Sequence, residues 1–180
     1  MNIFRLDEDP VIAAQMMCDK HVVKMVTEYG QLLSTAHRVI DGTPVRRPSK
    51  SGKRMVDHYQ VNGAFREALL YKVAHKNHPS AIWCRLNDKN YDWLYRHFEA
   101  TAKEYEHRYG RVHLTYEKLG VLLKPPPTNI SLSKQPTLMP ACMPEYCKDT
   151  SLVRSYRKYY KEEKSGFAKW TKRDTPAWFH

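Results

Sequence analysis

Apolar residues recur at spacings of three and four along the first part of the chain. Val22, Val26, Tyr29, Leu33, Ala36 and Ile40 form one stripe, the mark of an amphipathic helix. Asp9-Pro10 supplies a capping carboxylate followed by a first-turn proline, and Asp41-Gly42 supplies a stop. One long helix is therefore expected from Pro10 to Ile40, preceded by a short extended segment, Ile3 to Leu6. Residues 43 to 54, TPVRRPSKSGKR, have no periodicity and read as a basic loop. A second helix is predicted over Val61 to Lys76, after which Asn77-His78-Pro79-Ser80 breaks the pattern and restarts it. A third helical region is interrupted near Asn87-Asp88. Its longer arm carries Tyr91, Leu94, Phe98, Ala102, Tyr105 and Tyr109 on one face and stops at Gly110. Prolines 125, 126, 127, 136, 140 and 144 exclude a regular helix between residues 124 and 148. Leu132, Leu138, Met139 and Met143 predict that this stretch is a strap packed on the core. A last helix is expected from Ser151 to Lys164, followed by an aromatic tail. The pattern shows no repeat and no second boundary. It predicts an all-α fold: a single domain, residues 1–180, of three to five helices with long irregular basic and Pro-rich loops.

Composition adds a partner. With 42 % hydrophobic and 12 % aromatic residues in 180, the chain can bury a core. No apolar run approaches the roughly 18 residues needed to span a bilayer. The start carries Asp7, Glu8 and Asp9 and no apolar signal region, so a cytoplasmic, soluble protein is expected, without a membrane partner and as a monomer. Cys18, Cys84, Cys142 and Cys147 form no CxxC pair and read as reduced thiols. The scattered histidines, His75 and His78 among them, lack compact ligand spacing. No metal site and no cofactor are expected. The net charge of +11 opposes compaction and calls for an anionic partner, of which nucleic acid is the leading class. The loop from Arg47 to Lys53 lacks phosphate-loop spacing, so Arg46, Arg47, Lys50, Lys53 and Arg54 read as contacts to a phosphate backbone.

Opposite the apolar stripe the first helix carries a polar line: His21, Lys24, Glu28, Gln31, Thr35 and Arg38. Offsets of three and seven place His21, Lys24 and Glu28 on one face within two turns. A solvated helix face would look the same. What favours chemistry is the nearby chain start, because an α-amine titrates near 8 and lysine near 10.4. At neutral pH the Met1 amine is therefore a usable nucleophile without burial. Amine attack on the anomeric carbon of a deoxynucleotide displaces the base and leaves an imine. A carboxylate must then stabilise the cationic transition state and move protons, and Glu28 is the candidate. Lys24 is the reserve nucleophile and His21 a substrate contact. At the other end, RSYRKYYKEEKSGFAKWTKR alternates cations with aromatic rings, a pattern that suits phosphates and exposed bases. Arg157, Lys158, Lys161, Tyr159 and Trp170 are the candidates there, joined by Asn2 and Arg5 beside the chain start and by Arg38 on the first helix.

These residues resemble a known family. DKHVVKMVTEYGQLLSTAHRV is similar to the first helix of the pyrimidine-dimer DNA glycosylases of the T-even phage endonuclease V type. That helix carries a histidine and, seven residues later, the catalytic glutamate, matching His21 and Glu28. HPSAIWCRLNDKNYDWLYRHFEATAKEY looks like the family's later turn and long helix, and RSYRKYY like its aromatic-basic end segment. The resemblance implies an all-α fold with the N-terminus threaded between helices. It also implies amine attack, an imine intermediate and β-elimination without a cofactor, on kinked double-stranded DNA with a damaged or modified base flipped out. The chain departs from the family at two points. Asn2 is bulky enough to leave Met1 in place, and Thr27 and Gln31 stand where the family has phosphate-gripping arginines, with Lys24 or Arg38 as substitutes. The rival readings are a phage-type enzyme that modifies bases or nucleotides, and a non-enzymatic DNA- or RNA-binding accessory protein.

Overall fold

A computed structural model describes residues 2–49 and 51–180. Asp9 caps α1 (Pro10–Met16): its carboxylate accepts the amides of Val11 and Ile12, and Pro10 fills the first turn. The helical run then breaks at Met17 and Cys18, both extended and fully buried, before α2 (Asp19–Asp41) begins. This corrects the single helix expected from Pro10 to Ile40. The cause lies far along the chain. The Asp19 amide donates to the Lys169 carbonyl at 2.8 Å, and the Asp19 carboxylate takes the amide and hydroxyl of Thr171 and the guanidinium of Arg108. Tertiary partners start a new helix where local pattern alone would have continued the old one.

The basic loop is a ribbon. β1 (Thr43–Pro48) pairs antiparallel with β2 (Met55–Gln60), Thr43 opposite Gln60 and Pro48 opposite Met55. The all-α expectation is thereby overturned, because the described residues form seven α-helices and a two-stranded antiparallel sheet, a mixed α/β fold. The ribbon exposes most of both faces, so no apolar alternation marks it in the sequence. Its two open edges also tolerate Pro44 and Pro48.

α3 (Ala64–Leu69) ends well before Lys76. The Arg38 guanidinium takes the carbonyls of Glu67, Leu70 and Tyr71 at 2.8–2.9 Å, and so satisfies the groups that a longer helix would have bonded internally. α4 (Pro79–Cys84) and α5 (Asp88–Tyr109) follow the pattern closely. Asn87 caps α5 by accepting the Asn90 amide, and Gly110 closes it in the left-handed conformation, φ +69°. α6 (Leu114–Leu119) was not expected, being too short to show a period. Ser151 caps α7 (Leu152–Lys164). Residues 124–148 are irregular as predicted, with one 3₁₀ turn at Glu145–Cys147. Met139 is buried there, but Leu132 and Leu138 are 85 % and 89 % exposed, contrary to expectation. Polar anchors hold that part of the strap instead. The side-chain amide of Asn90 donates to Thr137 Oγ1 and accepts the Thr137 amide, both at 2.8 Å, and the Trp83 indole donates to the Thr137 carbonyl.

α5 packs on α1 and α2, and the buried apolar side chains form one cluster running from Ile3, Phe4 and Leu6 through α2 and α5 to Tyr156 and Tyr160 of α7. Among the described residues no helix is long and apolar enough to cross a membrane.

Candidate active site and nucleic-acid face

The segment before α1 is built into the interior. Ile3 and Leu6 are fully buried and Phe4 is 5 % exposed. Burial of three such side chains is worth about 1.5–3 kcal/mol each, enough to offset the ordering of a short segment. Polar contacts then fix its path. The Phe4 amide donates to the Tyr29 hydroxyl at 3.3 Å, one residue beyond Glu28. His97 Nδ1 donates to the Pro10 carbonyl at 2.8 Å, which leaves Nε2 to accept the Tyr29 hydroxyl proton at 3.1 Å. Asn2 is clamped as well: its side-chain amide donates to the Cys142 carbonyl and accepts the Tyr156 hydroxyl, at 2.8 and 2.7 Å. Met1 itself lies outside the described residues.

Along the polar line of α2, burial is graded. Glu28 is half-buried, with 15 % of its side chain exposed, and Lys24 Nζ meets its Oε1 at 3.0 Å while remaining largely in solvent. His21 is interior. Its ring stacks on Phe4 at 4.2 Å between centroids, meets the edges of Tyr160 and Phe167, and shares a hydrogen bond with the Tyr160 hydroxyl through Nδ1. Burial, reinforced by the charges of Lys164 and Lys24, pushes His21 down to about 3, so the ring is neutral at neutral pH. Geometry thus turns His21 towards the N-terminal segment and away from solvent.

On the same helix, Thr27 and Gln31 are half-buried. Thr27 Oγ1 lies 3.3 Å from Thr115 Oγ1, which lies 3.0 Å from the Tyr71 hydroxyl. Tyr71 belongs to the wall of a cleft of about 520 Å³ between the ribbon and α3, which Arg47, Tyr59, Glu67 and Lys72 also line. Arg38 closes its floor and is 5 % exposed, donating to the Glu67 carboxylate and to four carbonyls, so it has no donor left for a phosphate.

The remaining cations divide into two sets. Arg46, Arg47, Lys53 and Arg54 are exposed on the ribbon, where Arg46 and Arg47 make only loose contacts with Asp57 and Gln60 at 3.5 and 3.2 Å. Lys50 lies outside the described residues. By contrast, Arg5 sits over the Trp93 ring and pairs with Glu8, and Arg157 donates to the Leu6 carbonyl and Asp7. Trp170 donates its indole N–H to the Met16 carbonyl at 2.9 Å, and Tyr159 is half-buried beneath Lys164. Lys158 is exposed, and so is Lys161, whose Nζ reaches the His180 carbonyl. The C-terminal aromatic-basic stretch is therefore mainly a clasp over the N-terminal segment and α1, with a few cations on its outside.

Sequence reasoning missed the turn before α4. His78 packs there with its Nδ1 accepting the Ser80 amide at 3.1 Å, and burial lowers its titration below the usual imidazole range while the Glu28 charge works the other way. The only local signal was the proline restart at Asn77-His78-Pro79.

A family model described as pyrimidine dimer DNA glycosylase matches residues 1–117, which include α1 to α5, the ribbon, Glu28 and His78 but not the C-terminal clasp. No curated protein matches the chain, and no solved structure does. Matching 117 of 180 residues, the chain belongs to the pyrimidine dimer DNA glycosylase family.

Proposed function

We propose that this DNA-glycosylase-type protein removes a damaged or modified pyrimidine by amine attack at the anomeric carbon and then acts as a lyase at the abasic site. The amine lone pair forms the bond to C1′ as the glycosidic bond breaks, and that electron pair leaves with the base. Glu28 takes the proton released by the attacking amine and passes it to the base. The sugar then opens to an imine, whose acidified C2′ proton is lost as the 3′-phosphate departs. The Met1 amine is the proposed nucleophile. The observation that carries this reading is the packing of Phe4 on α2, its ring on His21 and its amide on the Tyr29 hydroxyl, which sets the N-terminal segment against the helix that bears Glu28. A specific contact favours a second nucleophile, Lys24, whose Nζ is 3.0 Å from the same carboxylate. The double-stranded DNA partner would lie across the exposed ribbon cations.

Borohydride trapping on duplex DNA with a pre-formed abasic site tests the scheme. The wild-type protein is expected to form a covalent adduct. Two residues added before Met1 abolish that adduct if the α-amine attacks, whereas Lys24→Met abolishes it if the side chain does. Glu28→Gln should slow base release by roughly 10²–10⁴-fold yet keep the adduct on pre-formed abasic DNA. Salt-sensitive DNA binding without any adduct would replace this reading with that of an accessory protein.

A further inference from the structure

Glu28 and an amine account for attack on the sugar and for the proton that the base finally takes, but neither stabilises the charge on the departing base before that proton arrives. Three described features converge on His78. First, its tautomer is set by geometry: Nδ1 accepts the Ser80 amide at 3.1 Å, so in the neutral ring the proton must sit on Nε2. Nε2 has no hydrogen-bond partner among the described residues, and the side chain is half-exposed. Second, the turn that carries it is tightly held. The His78 amide donates to the His75 carbonyl at 2.9 Å, with His75 in the left-handed region at φ +49°, a conformation that non-glycine residues rarely adopt without support. Support comes from Arg85, which donates to the Lys76 carbonyl at 2.7 Å, and from Lys76, whose Nζ bonds the Tyr59 hydroxyl at 2.6 Å on the cleft wall. Third, the turn adjoins the chain start. Ser80 Oγ is 3.5 Å from Cys142 Sγ, and the Cys142 carbonyl holds the Asn2 side chain.

We infer that His78 is a further catalytic residue of the base-release step: a neutral imidazole whose Nε2–H donates a hydrogen bond to a carbonyl oxygen of the departing pyrimidine. This rests on the glycosylase reading above. His78 gives up no proton. Its N–H stabilises the electron pair that moves from the glycosidic bond onto the ring nitrogen and the adjacent carbonyl, while the proton needed by the base still travels through Glu28. Burial holds His78 below the usual imidazole range, ahead of repulsion from His75, while the Glu28 carboxylate pulls the other way. A neutral donor suits this task, because Nε2–H can be offered to a carbonyl oxygen without a proton being given up.

The test compares His78→Asn, His78→Gln and His78→Ala with wild type. Asparagine still caps α4 and keeps the turn, but its amide is too short to reach the base; glutamine restores a donor at imidazole length. Single-turnover base release from a dimer-containing duplex, duplex affinity and adduct formation on a pre-formed abasic duplex are measured for each. We expect His78→Asn to slow base release by roughly 10²–10³-fold with affinity and abasic adduct unchanged, and His78→Gln to recover part of the rate. Wild-type base release by His78→Asn, with only His78→Ala impaired in every assay, would show that the residue merely caps α4 and would overturn the assignment. A wild-type protein that neither releases base nor forms an adduct would instead overturn the glycosylase reading, and this one with it.

Discussion

Arg38 uses all three guanidinium nitrogens as donors to the Glu67 carboxylate and to the carbonyls of Tyr59, Glu67, Leu70 and Tyr71, at 2.7–2.9 Å. One side chain thereby ends α3, anchors the last strand of the ribbon and closes the floor of the cleft. Replacing it by methionine would leave several carbonyls without a donor and Glu67 without its counter-ion. We expect a loss of about 3 kcal/mol in unfolding free energy, read as a drop in the urea midpoint, with no change in the salt dependence of DNA binding. A reduced salt slope with unchanged stability would instead make Arg38 a phosphate contact. The position shows what a sequence can and cannot disclose about a single residue. Its place on the polar line of α2 was legible from spacing. Its burial was not, because the carbonyls that surround it come from a segment expected to be helical. His21 is a parallel case: the seven-residue offset to Glu28 was readable, but the Phe4, Tyr160 and Phe167 rings that enclose it come from both ends of the chain. His78 escapes a reading by spacing because its link to Glu28 is wholly tertiary.

Elements fixed by their own ends were legible. Asp9, Asn87, Gly110 and Ser151 each mark a boundary through a bond or backbone conformation within three residues, so local chemistry suffices. The ribbon was not legible, because its pairing joins residues up to 17 apart and neither strand hides a face. That exposure is also what suits it to DNA, since a two-stranded ribbon can enter a major groove, and this one carries its described cations on β1 and the tip. Replacing Arg46, Arg47, Lys53 and Arg54 by alanine should leave stability almost unchanged, because none of the four is buried. Duplex affinity should fall, and the slope of log affinity against log salt should shrink by about 0.9 for each phosphate that is no longer neutralised. A variant that binds duplex DNA with the wild-type slope would remove the ribbon from the nucleic-acid face and move attention to the outer lysines of α7.

Both ends of the chain wrap α2, and this couples the whole molecule to pH. The N-terminal segment and the C-terminal clasp together enclose His21, while His37 and His97 are enclosed by α2, α5 and their neighbours; the three are 8 %, 3 % and 0 % exposed. Burial leads the causes in each case and pushes them down, to about 3 for His21 and about 4 for His37 and His97. A histidine whose folded value is depressed adds stability that is complete above the unfolded value, near 6.5, and is lost as pH falls towards the folded value. Between about pH 6 and pH 4 the unfolded chain therefore binds up to three more protons than the folded one, a slope of roughly 4 kcal/mol per pH unit. Against a total stability of about 5–15 kcal/mol, that slope unfolds the protein within a few pH units of neutrality. The loss begins before the lowered carboxylates Asp19, Asp41 and Glu104 start to protonate, since their contribution persists down to the ordinary carboxylate range. Urea midpoints measured from pH 8 to pH 4 should hold steady to about 6.5 and then fall steeply. His97→Gln, which keeps polar atoms on the ring site but cannot titrate, should lower stability at pH 8 yet flatten the fall by about a third. Midpoints that stay level down to pH 4.5 would mean that these rings reach solvent, and would undo the enclosure of α2 by the two chain ends on which the proposed site depends.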